Sequence, residues 1–204
     1  MAAQFVSSSS ISSITTSNIL SDYVIPLTNN NWTLSSEDRI FTNLTAQVPG
    51  DLLSDLMTNG LIDDPYIDRN FLTQRKVWMG DAWKEPENNF IRVDDGNDED
   101  NSKEQEKYYQ RKRTWIYSTM FDLPEHNSDE MSWKLVFEGI KMGAEIFINS
   151  KKVGQVVDQF LRYDFEIGDD ILDRGVLHDR NARRHNLTVS FNPLIRVNGR
   201  FSGE

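Results

Sequence analysis

Hydrolysis, group transfer and metal binding each start from particular side chains, and in this chain of 204 residues the supply is lopsided. Asp and Glu number 32 against 22 Lys and Arg, with three histidines and no cysteine. Carboxylates can act as general acid and base when two face one substrate in unequal environments, one protonated and one ionised. In so acidic a chain, closeness in sequence picks out no such pair, and no residue is assigned a catalytic role. The lack of cysteine removes thiolate nucleophiles, disulfides and Cys-based zinc sites together. His126, His178 and His185 have no metal-ligand spacing and read as surface residues in polar loops. Serine is abundant, yet there is no Gly-x-Ser-x-Gly elbow, no P-loop and no Gly-x-Gly-x-x-Gly. The residues therefore call for no metal and no cofactor.

One oxygen-rich stretch needs weighing. Asp94, Asp95, Asn97, Asp98 and Asp100 could in principle surround calcium, but the sixth-position glycine, the twelfth-position Glu and the flanking helices of a calcium loop are missing. From Asp94 to Glu106 there are seven acidic residues, one Lys and no apolar side chain. Such a segment buries too little surface to offset its ordering entropy and reads as a disordered surface insertion, over residues 84–110. The formal charge of −10 argues against nucleic acid and anionic membranes as partners. No apolar run approaches the ~18 residues that crossing a bilayer needs.

The elements that would position any site are mostly strands. Leu135-Val136-Phe137 is rich in β-formers, and Ala144 to Asn149 nearly alternates. A turn at Asn149-Ser150-Lys151 returns the chain through Lys152 to Val157. Tyr163, Phe165 and Ile167 alternate with a period of two and should share one face. Trp115, Tyr117 and Thr119 form one face of a strand whose other face carries Ile116 and Met120. Leu187, Val189 and Phe191 point inward from a late strand, and Trp32 and Leu34 from an early one. Between them, Asp51 can cap a short helix with Leu52, Leu53, Leu56 and Met57 as its apolar stripe and Gly60 just past its end. These patterns describe an all-β antiparallel sandwich with one short helix near its start.

Two pieces carry a resemblance. "VPG-D-L-x-x-D-L-x-x-x-G-L-I-x-D-P-Y" covers Val48 to Tyr66, and "LVFEG … A-x-I-F-I-N, Lys-x-x-Gly, x-F-x-R-Y-x-F" covers Leu135 to Phe165. Together with Trp115-x-Tyr … Phe121-x-Leu-Pro, they resemble the sugar-binding, galactose-binding-domain-like jelly roll of glycoside hydrolase family 2, and within it the β-mannosidases. The resemblance runs from about Trp32 to Phe191. Departures occur at Arg69-Asn70-Phe71, where the family's Asn-Glu pair keeps only its Asn, and at Lys141-Met142-Gly143, where a short Asp-Thr-aromatic turn is usual.

The resemblance implies a non-catalytic N-terminal domain. Both catalytic glutamates of such enzymes sit on a (β/α)₈ barrel that would follow residue 204, so this chain alone should be inactive. Its carbohydrate partner, a terminal β-mannoside, would be met together with that barrel. Arg200-Phe201-Ser202-Gly203 looks like the start of the segment leading to a Gly-Trp-Asp-Trp motif, so the chain is expected to be a fragment. Asn70, Trp78, Trp83 and Arg162 are the residues most open to a place near the sugar. Trp78 and Trp83 read as polar-loop aromatics that either touch sugar or cap the sandwich, and Arg162 more as a structural ion pair. The rival functions are a freestanding carbohydrate-binding jelly-roll module and, more remotely, an interaction domain using its acidic loop. Residues 1–30 read as a disordered Ser/Thr-rich leader, and 31–204 as the jelly roll. With neither a basic n-region nor arginine before Arg39, a cytoplasmic location is favoured over a lysosomal or secreted one. The basic triplet Arg111-Lys112-Arg113 is expected to pair with the acidic insertion, and sequons stand at Asn31, Asn43 and Asn186.

Overall fold

A computed structural model describes residues 2–9, 24–28, 30–80, 113–123, 131–172 and 184–192. The strands are β1 (Ala2–Ser9), β2 (Val24–Pro26), β3 (Trp32–Ser36), β4 (Leu44–Ala46), β5 (Trp115–Asp122), β6 (Met131–Gly139), β7 (Ala144–Ile148), β8 (Lys151–Gln155), β9 (Tyr163–Ile167) and β10 (Arg184–Phe191). Between β4 and β5 lie three short helices, α1 (Leu52–Thr58), α2 (Asn70–Thr73) and α3 (Arg75–Met79). One sheet has the order β2-β1-β6-β9 and the other β4-β3-β5-β10-β7-β8, with antiparallel pairing throughout. This is the expected all-β antiparallel sandwich.

Period-two patterning accounts for the core. Trp32, Leu34, Trp115, Tyr117, Ile146, Ile148, Leu187 and Val189 face inward from the larger sheet. Ala3, Phe5, Trp133, Leu135, Phe137 and Ile167 face them from the smaller. Across the gap Phe5 stacks on Phe121 with ring centroids 4.4 Å apart. Where the sheets meet at one side, a Cβ on Gly154 of β8 would lie 2.1 Å from the Phe165 ring of β9, so only glycine admits that aromatic. Asn149 and Ser150, both at positive φ, form the turn between β7 and β8, as their sequence suggests.

The expected leader is corrected at its ends. Ala2–Ser9 is not outside the sandwich; it is an inner strand, hydrogen-bonded to β2 on one side and β6 on the other. The reason is alternation hidden by small residues: Ala3, Phe5 and Ser7 all point inward and are buried, and Ser7 is compact enough to sit there. Leu27 after β2 is buried too, and its carbonyl accepts the Trp32 indole N–H at 2.8 Å. Residues 10–23, the acidic insertion with the Asp94–Asp100 cluster, Trp83, Arg111, Lys112, His126, His178 and the 200–204 segment lie outside the described residues.

Helix α1 has the predicted ends. Asp51 caps it through Ser54, accepting from the backbone N–H at 3.1 Å and the hydroxyl at 2.7 Å, which holds its carboxyl below the usual range. At the other end Gly60 N–H bonds Met57 O and Leu61 N–H bonds Leu56 O, a Schellman closure that needs the positive φ of Gly60. The predicted stripe is half right. Leu56 is buried and Leu52 and Leu53 are partly so, but Met57 faces solvent and Asp55 takes the inner position.

Candidate functional site

Three local assemblies concentrate polar or aromatic groups: a clasp under α1, a helical apron from Asp63 to Met79, and a loop from Val157 to Arg162.

The clasp is built around Asp55. Its carboxylate accepts from Gln47 N–H at 2.9 Å and from the Tyr117 hydroxyl at 2.9 Å, with the residue 3% exposed. Burial raises the Asp55 carboxyl above its ordinary range, against the lowering pull of those two donors. Burial also pushes the Tyr117 hydroxyl far above the ordinary tyrosine value. At the end of the same helix, the Asn59 carboxamide accepts from Thr45 N–H at 3.1 Å and donates to Thr45 O at 2.8 Å. A side-chain amide thus does for β4 what another strand would do, and the sheet edge is closed by a helix. A shifted carboxyl is a usual mark of a catalytic acid. Here both oxygens are taken and the group is sealed from solvent, so its role is structural.

The apron carries two of the four candidate residues. Asp64 nucleates it, its carboxylate accepting Tyr66 N–H at 2.9 Å and its carbonyl accepting the Asn70 amide at 3.0 Å. Asp63 and Gln74 tie its two ends by a reciprocal pair at 2.7 and 2.8 Å. Asn70 is therefore committed to its own loop. Trp78 is corrected from a polar loop to α3, where it packs on the core. Its carbonyl accepts the Trp115 indole N–H at 3.0 Å, and its ring lies 5.4 Å from Phe71. The exposed aromatics of this region are Tyr66, 94% exposed, and Phe71, over which Arg75 lies at 5.6 Å. Sequence reasoning did not single them out, although Asp-Pro-Tyr, a turn that fixes its own tyrosine outward, was the available signal.

Arg162 stands apart from the apron, in the loop entering β9 of the smaller sheet. It pairs with Asp164 at 3.0 Å and Glu138 at 3.7 Å, all exposed, in agreement with a structural ion pair. Behind it, the Tyr163 hydroxyl accepts from Val157 N–H and Asp158 N–H at 3.2 and 2.8 Å and donates to Asp158 O at 2.9 Å. That knot presents Val157, Phe160 and Leu161 to solvent.

One further expectation is corrected, at His185. Arg113 pairs with Asp38 at 2.7 Å and lies over Phe41 at 4.9 Å, while the pairing expected of its triplet with the acidic insertion lies outside the described residues. Burial would raise the Asp38 carboxyl, but hydrogen bonds from Ser36 and Arg113 hold it below the usual range. His185 is not a loop residue; it is buried on β10, because the inward set Leu187, Val189 and Phe191 extends back to it at the same spacing. Among the described residues no group of three or more His, Cys, Asp or Glu could hold a metal, and no helix is long and apolar enough to cross a membrane.

Comparison with known proteins bears on the whole sandwich. The profile of glycosyl hydrolase 2 galactose-binding domain-like sequences matches residues 87–199. The chain is similar to the β-mannosidase of Rattus norvegicus, with 30% identity over 130 residues, 64% of this chain and 11% of that protein. It is similar also to a probable β-mannosidase of Caenorhabditis elegans, with 28% identity over 141 residues, 69% of this chain and 12% of that protein. A β-D-mannosidase from Dictyoglomus thermophilum shares the fold at a TM-score of 0.50 and 22% identity, over 80% of this chain and 15% of that one. The chain spans about a tenth of the length of the curated relatives it matches.

Proposed function

Because the chain belongs to the galactose-binding-like domains of glycoside hydrolase family 2, we propose that it is the N-terminal, non-catalytic sandwich of a β-mannosidase-like hydrolase acting on terminal β-D-mannosides in carbohydrate metabolism. The observation that carries this reading is the pattern of matched lengths. The rat and nematode relatives align with 64% and 69% of this chain but give up only 11% and 12% of themselves, the share of one accessory domain in a much larger enzyme. In support, the one described carboxyl that burial raises is Asp55, and it is sealed beneath α1. On this reading the acid and the nucleophile come from a catalytic barrel, and the apron with Asn70 and Trp78 borders the entrance to its sugar pocket.

The test is hydrolysis of an aryl β-mannoside by the 204-residue chain, beside the same chain carried in a full β-mannosidase-length polypeptide. Activity only in the long form supports the proposal; turnover by the short chain overturns it. A second reading, a freestanding carbohydrate-binding module, draws on the exposed rings of Tyr66 and Phe71, since pyranose faces stack on such rings. Saturable binding of mannosides by the short chain, lost in Tyr66→Ala and without hydrolysis in either form, selects that reading.

A further inference from the structure

We infer that the corner joining the β7–β8 turn, the 168–172 turn and the start of β10 is a proton-sensitive latch that closes only around a neutral His185. The argument is one of donors and acceptors, and it does not depend on the reading as a hydrolase domain. Asn149, at φ 50 in the hairpin turn, exchanges backbone contact with β10, its N–H donating to Asn186 O at 2.9 Å. Its side-chain oxygen accepts from Asn186 N–H at 3.1 Å. Its side-chain nitrogen donates to Ile171 O at 3.1 Å and lies 3.1 Å from His185 Nδ1. The two backbone partners fix which end of the carboxamide is which, because an N–H can only meet the oxygen and a carbonyl can only meet the nitrogen. The second amide hydrogen therefore points at His185 Nδ1, which must accept. A ring accepting at Nδ1 carries its hydrogen on Nε2 and is uncharged.

Protonation would place an N–H against an N–H. His185 is 5% exposed, with its ring 5.4 Å from Phe121, so no large swing within the packed core relieves the contact. Either the carboxamide turns, giving up both backbone bonds, or β10 parts from the hairpin. The charged groups that the described residues place on the surrounding elements are Glu145 on β7, Lys151 and Lys152 on β8, Arg184 on β10, Asp122 opposite it on β5, and Asp169 and Asp170 in the turn, with Glu145 and Lys152 paired to each other. From the other sheet Phe5 stacks on Phe121. Four carboxylates against three cations nearly cancel, and the donor-against-donor contact decides the sign. The folded state binds fewer protons at this ring than the unfolded chain, whose imidazole titrates near ~6.5. The stability tied to the latch is complete above that value and is lost as the pH falls below it, through the lower value of the folded ring.

Nitrogen-15 spectra of the folded chain at neutral pH give the first test. An unprotonated Nδ1 beside a protonated Nε2 is expected; a hydrogen on Nδ1 overturns the proposal. Urea midpoints at neutral pH and near pH 5 give the second. The wild type should lose about 0.5 M more on acidification than His185→Gln, which keeps an acceptor but does not titrate. Equal losses overturn the latch. If His185→Gln fails to fold, hydrogen exchange at the Asn186 amide of the wild type decides: protection that falls with acidification, after correction for intrinsic rates, supports the latch, and protection that holds sinks it.

Discussion

Two tyrosine hydroxyls organise opposite kinds of surface. Tyr117 lies inside and donates to a buried carboxylate, so that a charge-bearing residue occupies a core position. Tyr163 lies at the edge, using both its lone pairs and its hydrogen on the backbone of one loop, so that Phe160 is left 79% exposed. Both depart from the rule of polar outside and apolar inside, and in both a hydroxyl makes the departure tolerable by satisfying groups that would otherwise be orphaned. The difference is water. No solvent can replace Tyr117 beneath α1, whereas the Asp158 loop can be hydrated when its knot is cut. Solvent access, more than the number of hydrogen bonds, sets what each is worth.

Removing the carboxylate should give the largest effect. Asp55→Ala orphans Gln47 N–H and the Tyr117 hydroxyl and opens a small void, and should lower unfolding stability by ~2–4 kcal/mol in urea melts. The companion Asp55→Asn keeps the shape without the charge. Since burial raises the Asp55 carboxyl, the folded state holds that proton more tightly than the unfolded chain. Its contribution is therefore greatest below about 3.9, the unfolded value, and is lost as pH rises through the raised folded value. Asp55→Asn should then gain on the wild type between acid and neutral pH, and a wild type that gains instead would break the account of the clasp. Tyr163→Phe should be the mildest, at ~1 kcal/mol or less, because water replaces the hydroxyl. A loss as large as that of Asp55→Ala would erase the contrast between the two tyrosines.

Much of this fold was legible from alternation alone. Trp115 to Thr119, Tyr163 to Ile167 and Leu187 to Phe191 bury the faces their spacing predicts, because a strand between two layers has only two faces to assign. The helix caps were legible too, since Asp51 and Gly60 answer needs local to the backbone. What stayed hidden depended on partners distant in sequence. Ser7 looks solvated until β6 lies beside it, His185 looks like a loop residue until β5 and Asn149 flank it, and nothing local marks Asp55 for burial under its own helix. Of the candidate site, Arg162 was legible as an ion pair because Asp164 is two residues away, while Trp78 was misplaced because its carbonyl is held by the distant Trp115. The exposed ring of Tyr66 was within reach of local reasoning, through the Asp64 turn that holds it.

One contact of the apron reaches further than its size suggests. Arg113 N–H donates to Met79 O at 3.0 Å, and the Arg113 guanidinium reaches the Val77 carbonyl. The last turn of α3 and the residue that leads into β5 are therefore buckled together, backbone to backbone. The apron is fastened to the larger sheet at both of its faces, by that buckle and by the Trp115 indole on the Trp78 carbonyl, so a strain on β5 is felt in α3 before it is felt elsewhere.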